Sequence, residues 1–510
     1  MNSLNDFFQT DFKTQKLDWE KSLLSELKLT EIGNKAIKQT LNGLALPTLS
    51  VDRNKQVHLT PTENWKKAST TYATIDEKNI AFLIEEDLKA GVRNFFFFDE
   101  LLSDQKWKVI ENALKQYSTL SEIEVFLLGN KKYESSAFKV VKDIVSGKEF
   151  HERGGNSIQE LALLAKKIIE TSDEEIFVGV YVDSLFFHNI AKLRAARLIA
   201  SKIIQDSGRK SHIKILALTS YEGWTIYERY SNILRNETAV ASAYLGGADH
   251  VQSSGHNILI ELEANPLTLD EHFERSQRMA RNTSHILALE SMLGVVQDPA
   301  FGSYHLENLT QTLCEKAWIL MQRLLKGEDI SSEIFEVREK KLQMMKTRKL
   351  IVAGINDYPD AKETLSLDLK SSPFFRYSRI FEELRLRMER LKKPQVFIAL
   401  FGDYAALNVR LNFIKNYFEI LGLNVQDTGH SELDLESFKK TLESRKEDII
   451  VVCAADENYP HLINSLLEIK TIHKFIAGKS EINGFKNIYA GQNVYEVLSE
   501  IVNTFEGKKA

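Results

Sequence analysis

Residues Arg281 to Trp318 read RNTSHILALESMLGVVQDPAFGSYHLENLTQTLCEKAW, an order of residue types more particular than an amphipathic helix requires. Arg281-Asn282-Thr283 has the character of a helix start, Ile286, Leu287, Leu289 and Leu293 supply an apolar face, and Gly294 is a natural stop. In the loop that follows, Asp298-Pro299 supplies a fixed φ and Gly302-Ser303 a permissive backbone, before Glu307 to Trp318 begins the next helix. Two Leu-rich helices joined by such turns suit the closing segment of an α/β barrel.

Upstream of this stretch, short apolar runs alternate with amphipathic helices. Strands are expected at Arg93 to Asp99 (RNFFFFD), Ile123 to Gly129, Ile176 to Asp183, Ile213 to Ser220 and His250 to Ser253. Helical patterns fill the gaps at Lys78 to Ala90, Trp107 to Tyr117, Ser157 to Thr171, Phe186 to Ser207 and Thr225 to Leu245, each long enough for a crossover. Repeated strand and helix over about 250 residues predict a parallel sheet closed as a (β/α)8 barrel. Downstream, residues Gly327 to Lys393 are charged and broken, with a mixed run at Arg338-Glu339-Lys340-Lys341 and a stop at Ser372-Pro373, which predicts helices and a linker wrapped on a surface. After Lys393-Pro394 the alternation restarts. Strands at Gln395 to Gly402, Asn424 to Gly429, Asp448 to Ala455, Lys474 to Gly478 and Asn487 to Gly491, closed by a helix at Asn493 to Phe505, predict a five-unit, flavodoxin-like doubly wound domain. The expected fold class is α/β. Its divisions are an N-terminal helical arm at 1-45, a barrel at 46-330, a helical linker at 331-393 and the second α/β domain at 394-510.

The chain has 510 residues, 43% hydrophobic and 27% charged, enough for two or three domains with proper cores. Its net charge of -5 arises from 71 acids and 66 bases mixed along the chain, so no basic face points to nucleic acid and no polybasic run to anionic lipid. Only Cys314 and Cys453 occur, far apart, which argues against a disulfide framework or a zinc site. The N-terminal MNSLNDFFQTDFKTQK lacks a signal-peptide core, and no run approaches the roughly 20 apolar residues of a membrane span. A cytoplasmic protein is expected.

The block from Arg281 to Trp318 resembles the segment that ends the barrel of the methylmalonyl-CoA mutases, adenosylcobalamin-dependent enzymes that interconvert methylmalonyl-CoA and succinyl-CoA. Other matches follow in the family's order: NIAKLRAARLIA at Asn189 to Ala200, the TS-x-x-GWT pattern from Thr219, ILRNET at Ile233 to Thr238, Gly246-Gly247-Ala248, and SGKEFHERGG at Ser146 to Gly155. The resemblance implies a barrel that holds the acyl-CoA and a C-terminal domain that holds cobalamin.

Both sites depart from the family pattern. Aligned without a gap, the family's Tyr-His pair after Ser-Gly is matched by Lys148 and Glu149, and an ionised glutamate cannot donate to a thioester carbonyl. His151 is two residues away, a displacement of about 6 to 7 Å along a strand end, and is expected as a solvent-facing loop residue. The family's cobalt ligand comes from Asp-x-His-x-x-Gly. Here that loop is Asp403-Tyr404-Ala405-Ala406-Leu407-Asn408, with Ala405 and Asn408 in place of the histidine and glycine. Cys453-Ala454-Ala455 and Ala477-Gly478 replace the family's Ser-x-Leu and Gly-Gly. Phe95 to Phe98 place two large rings, Phe96 and Phe98, toward the axis through which active mutases thread pantetheine, so a filled barrel is expected.

The chain therefore resembles the small subunit of heterodimeric bacterial mutases. That resemblance implies no catalytic, cofactor-binding or metal residues here, adenosylcobalamin in a partner large subunit, and a stabilising role. An arm from Met1 to Leu44, with Phe7, Phe8, Phe12, Leu17, Trp19, Leu23, Leu24 and Leu27, would wrap that partner or pack on its own barrel. The alternatives are an independent acyl-CoA enzyme using Glu149, His151 or His256, and a transient regulatory or chaperone module.

Overall fold

The computed structural model describes residues 12–27, 37–39, 45–47, 69–72, 77–99, 102–117, 122–129, 133–263, 271–365, 367–372, 374–462 and 471–507. In the expected arm, Phe12–Leu27 is a helix, while Ile37–Gln39 (β1) and Ala45–Pro47 (β2) pair antiparallel, so the arm is helical only in part. Leu17 is exposed, and Phe7 and Phe8 lie outside the described residues.

Two parallel sheets follow. One joins Ser69–Tyr72 (β3), Asn94–Phe97 (β4), Glu124–Leu127 (β5) and Lys139–Val141 (β6); the other joins Ile144–Ser146 (β7), Glu175–Val182 (β8), His212–Thr219 (β9) and His250–Val251 (β10). Only two residues separate β6 from β7. Among the described residues the ladders do not close into a ring, but the sheets face each other. Phe96, Phe126 and Val141 from the first meet Phe177, Leu216 and Leu218 from the second in one buried cluster. Phe96 stacks on Phe126 at 4.7 Å, and Phe126 touches the His250 ring at 4.9 Å, so large side chains fill the space between the two sheets. Phe95 and Phe97, one residue either side, pack instead with Ile80, Ile84 and Trp107 of the outer helices, as the period of two requires.

The crossover helices are set by local chemistry. Ser157–Glu170 opens on a reciprocal cap between Asn156 and Gln159, and Asp104–Lys115 is capped by Ser103. Helix Phe186–Asp206 is buried along most of its length against Ser157–Glu170 and Tyr304–Leu325, with His188, Asn189, Lys192, Arg194 and Arg197 buried among its apolar residues. Three expectations change. Arg281-Asn282-Thr283 does not start a helix: it ends the helix Glu271–His285, whose amphipathic run begins upstream, and the chain continues as a π-type turn at Ile286–Glu290. The helix expected from Thr225 begins at Ser231, because Glu228 takes a positive φ of 48°. The region Gly327 to Lys393 does more than wrap a surface: its helices form at Ser331–Lys346 and Arg379–Glu389, and Phe375, Arg376, Phe381 and Leu384 are buried in the core.

The third sheet is wholly parallel, in the order Val425–Asp427 (β12), Val396–Phe401 (β11), Ile449–Ala454 (β13), His473–Ala477 (β14), Lys486–Ile488 (β15). Its order reverses beside β11, which places a crevice outside the carboxyl ends of β11 and β13. Its core is shared. One apolar cluster runs from Tyr221, Trp224, Tyr227 and Leu259 in the first half, through Phe381 and Leu384, to Val396, Ile414 and Phe475 in the second.

Candidate functional site

The carboxyl ends of β4, β5, β8, β9 and β10 present Phe98, Leu128, Tyr181, Thr219 and Gln252 to a common cavity, together with Lys148, His151 and Glu152 from the helix Lys148–Glu152. That short helix is brought close by Gly147, where an added Cβ would stand 2.2 Å from the Glu160 carbonyl oxygen. Consequently His151 does not face solvent. Its side chain is 12% exposed, its ring stacks on Tyr181 at 4.1 Å, and Nδ1 lies 3.5 Å from Glu160 Oε2. The gapless position, Glu149, points outward and binds Lys167 Nζ at 2.7 Å.

Beneath His151 lies a buried charge network. Lys192 Nζ donates to Glu160 Oε2 at 2.5 Å and to the Tyr181 carbonyl at 2.8 Å, while Glu160 Oε1 accepts from the Tyr181 N–H at 2.9 Å. Burial alone would raise the Glu160 carboxyl, but Lys192 and His151 outweigh it and hold it at about 2. Burial, then Glu152 and Glu160, pushes the Tyr181 hydroxyl well above its ordinary range. Beside this network, His188 Nε2 meets Ser157 Oγ at 2.9 Å, and burial lowers its pKa from 6.5 to about 4. A histidine kept neutral in this way stabilises the fold fully above pH 6.5, and that contribution is lost as pH falls from 6.5 through about 4. His188→Gln should therefore flatten the decline of the thermal midpoint in that window; an unchanged slope would assign the acid sensitivity to His250, His285 and His305, which burial also lowers.

The cavity is narrowed from an unexpected quarter, the linker, by a plug of Phe374 and Phe375. Phe374 packs on Tyr221 at 5.3 Å, Tyr221 faces Phe98 at 6.2 Å, and Phe375 donates its N–H to the Glu152 carbonyl at 2.8 Å. Gly154, at φ +91°, leaves room for the Phe375 ring, which an added Cβ would meet at 2.9 Å. Behind them Arg376, fully buried, binds Glu263 at 2.7 and 2.6 Å, Glu382 at 3.1 and 2.7 Å, and the Trp224 carbonyl at 3.0 Å. About 20 Å³ of cavity remains, space for one water and far below the several hundred Å³ of a ligand pocket. The FFR triplet in an otherwise charged segment was the only sequence signal of this plug.

In the third sheet, Asp403 to Asn408 is not a loop. Asp403 caps the helix Tyr404–Glu419 by accepting the Ala405 N–H at 3.2 Å, so Ala405 and Asn408 are exposed residues of its first turns. The crevice beside β11 is taken up by the chain itself. Arg410 Nη1 donates to the Ala454 carbonyl and, at 2.9 Å, to the Ala477 carbonyl, with Asp456 Oδ1 at 3.0 Å. Tyr459 Oη donates to the Ala477 carbonyl at 2.7 Å. Burial pushes the Cys453 thiol up to about 12, so it supplies no thiolate. These residues do not fit cobalamin: Ala405 offers cobalt no lone pair, and Arg410 and Tyr459 already bind the strand-end carbonyls. Among the described residues no group of three or more His, Cys, Asp or Glu could hold a metal ion, and no helix is long and apolar enough to cross a membrane. His256 lies apart from the cavity lining, with Tyr230 at 5.0 Å, so the structure does not bring Glu149, His151 and His256 together.

A family model described as methylmalonyl-CoA mutase matches residues 127–394. The methylmalonyl-CoA mutase small subunit of Porphyromonas gingivalis is 27% identical over 333 residues, covering 59% of this chain and 51% of that protein. That of Streptomyces virginiae is 27% identical over 404 residues, covering 69% and 62%, and the methylmalonyl-CoA mutase of Cereibacter sphaeroides is 31% identical over 245 residues, covering 43% and 33%. The chain spans about half the length of the curated relatives it matches.

Proposed function

Since the chain belongs to the methylmalonyl-CoA mutase family, we propose that it serves as a non-catalytic small subunit, stabilising a large chain that interconverts methylmalonyl-CoA and succinyl-CoA and carries the adenosylcobalamin. In this reading the two facing sheets are the two halves of a (β/α)8 barrel, and the third sheet is a flavodoxin-like domain of the cobalamin-binding type. The observation that carries the reading is the plug of Phe374 and Phe375, which leaves about 20 Å³ where an acyl-CoA would enter. The filled axis at Phe96 and Phe126 and the Arg410 crevice support it independently. An independent enzyme has one observation in its favour, the His151–Glu160 pair at the cavity. Against it, Phe374 and Phe375 crowd the cavity that His151 lines, and Glu160 is already committed to Lys192.

Calorimetric titration of the isolated chain with adenosylcobalamin and, separately, with methylmalonyl-CoA should show no heat of binding at tens of micromolar. Stoichiometric binding of either would overturn the non-catalytic reading. Size-exclusion chromatography with the large chain of the same organism should give a one-to-one complex.

A further inference from the structure

The π-type turn and loop that follow the helix Glu271–His285 hold apolar side chains in solvent. Ile286, Leu289, Met292, Val295 and Val296 are each 47–68% exposed within eleven residues of chain. Together they present apolar surface on the order of several hundred Å², the scale at which patches on soluble proteins mark contact sites.

The patch is built rigidly. Ser291 and Leu293 donate back to the carbonyls of Ile286 and Leu287 at 2.8 and 3.0 Å. Met292 and Asp298 are held at positive φ, 51° and 39°, a strain that persists only where the surroundings enforce it. Arg194, fully buried, holds the Asp298 end: it binds Asp298 through Nε at 2.8 Å and Nη2 at 3.0 Å, and Glu307 at 3.0 Å, while Glu307 accepts the Gly302 N–H at 3.0 Å. Backbone hydrogen bonds thus hold the ledge and a buried cation anchors the turn that follows it, which lowers the ordering cost of binding.

Charge selects the occupant. No lysine or arginine occurs from Asn282 to Glu315, and burial keeps His285 and His305 below their ordinary range. An anionic lipid surface therefore finds no cation on the ledge. A second copy packed about a two-fold axis would set Glu290 near its own twin, with no lysine or arginine from Asn282 to Glu315 to receive the charge. The geometry points to a heterologous protein partner: we infer that the ledge from Ile286 to Val296 is where this chain docks a second, non-identical subunit bearing an apolar patch with a basic rim. The inference rests on the small-subunit reading above and adds the place of contact.

The test uses the full chain and the large chain of the same organism as probe. Leu289→Glu, and in parallel the milder pair Leu289→Ser with Val296→Ser, should keep the far-UV spectrum and thermal midpoint, since these side chains are exposed. Either should weaken the complex at least 100-fold by light scattering or titration. If the wild-type complex forms and both variants bind with unchanged Kd, the ledge is not the interface although the subunit reading stands. If the wild type does not bind the large chain, the reading and the inference both fall. If the wild type self-associates and Leu289→Glu abolishes that, the occupant is a second copy and the inference is overturned.

Discussion

Arg376→Met should destabilise the chain by about 3–5 kcal/mol, read from the midpoint of urea unfolding. Arg376, Glu263 and Glu382 have fully buried side chains, and six hydrogen bonds tie the guanidinium to the two carboxylates, Ser378 and the Trp224 carbonyl through its Nε, Nη1 and Nη2 donors. Taking away the cation leaves Glu382 buried with only the Ile226 N–H, and Glu263 with Ser372 and the Arg379 guanidinium at 3.1 Å in place of its main counter-charge. Glu263 shows the dependence: burial would raise its carboxyl, yet Arg376 holds it below the ordinary range. Replacing Glu263 and Glu382 by glutamine in the Arg376→Met background should recover part of the loss, because neutral amides cost less to bury. A loss under about 1 kcal/mol for Arg376→Met would mean that the clamp is not what latches the plug.

Phe126→Ala should cost about 3–5 kcal/mol, the range for emptying an aromatic site in a core. Phe126 is fully buried and is the hub of the space between the two facing sheets, stacked on Phe96 and edge-on to Phe177 at 5.8 Å. Phe82→Ala, at a side chain 43% exposed, is the control and should change stability far less. The enlarged interior should still bind no acyl-CoA, because Phe374 and Phe375 still narrow the cavity. Binding by Phe126→Ala but not by the wild type would place the barrier in the axis rather than at the plug.

Strands were legible wherever an apolar run was long enough to be buried on both faces. Arg93 to Asp99 and Ile176 to Asp183 contain β4 and all but the first residue of β8, since continuous runs such as IFVGVYV suit a parallel sheet covered by helices. What escaped was short or polar. β3, Ser69–Tyr72, has no aliphatic residue, and β6 and β7 are split by Lys142-Asp143. The candidate site was half legible. The losses at Glu149, Ala405 and Asn408 could be read against the family pattern, but not that Glu149 turns outward while His151 enters the cavity. That outcome depends on the turn from Gly147, where backbone approach to Glu160 winds the chain into a helix rather than continuing the strand. Nor could periodicity assign Phe374 and Phe375 to the cavity, because their partners Tyr221 and Glu152 lie more than 150 residues away.

The apolar cluster that runs from Tyr221 and Leu259 through Phe381 to Val396 and Phe475 has an evolutionary corollary. A domain with its own core can be discarded once its ligand is gone, since its neighbour folds without it. Here Arg385 lies over the Tyr227 ring at 4.2 Å and Glu382 accepts the Ile226 N–H at 3.0 Å, so deleting the C-terminal third would uncover the floor of the first half. The C-terminal sheet is masonry: it cannot be dispensed with, because half of the wall behind it belongs to something else.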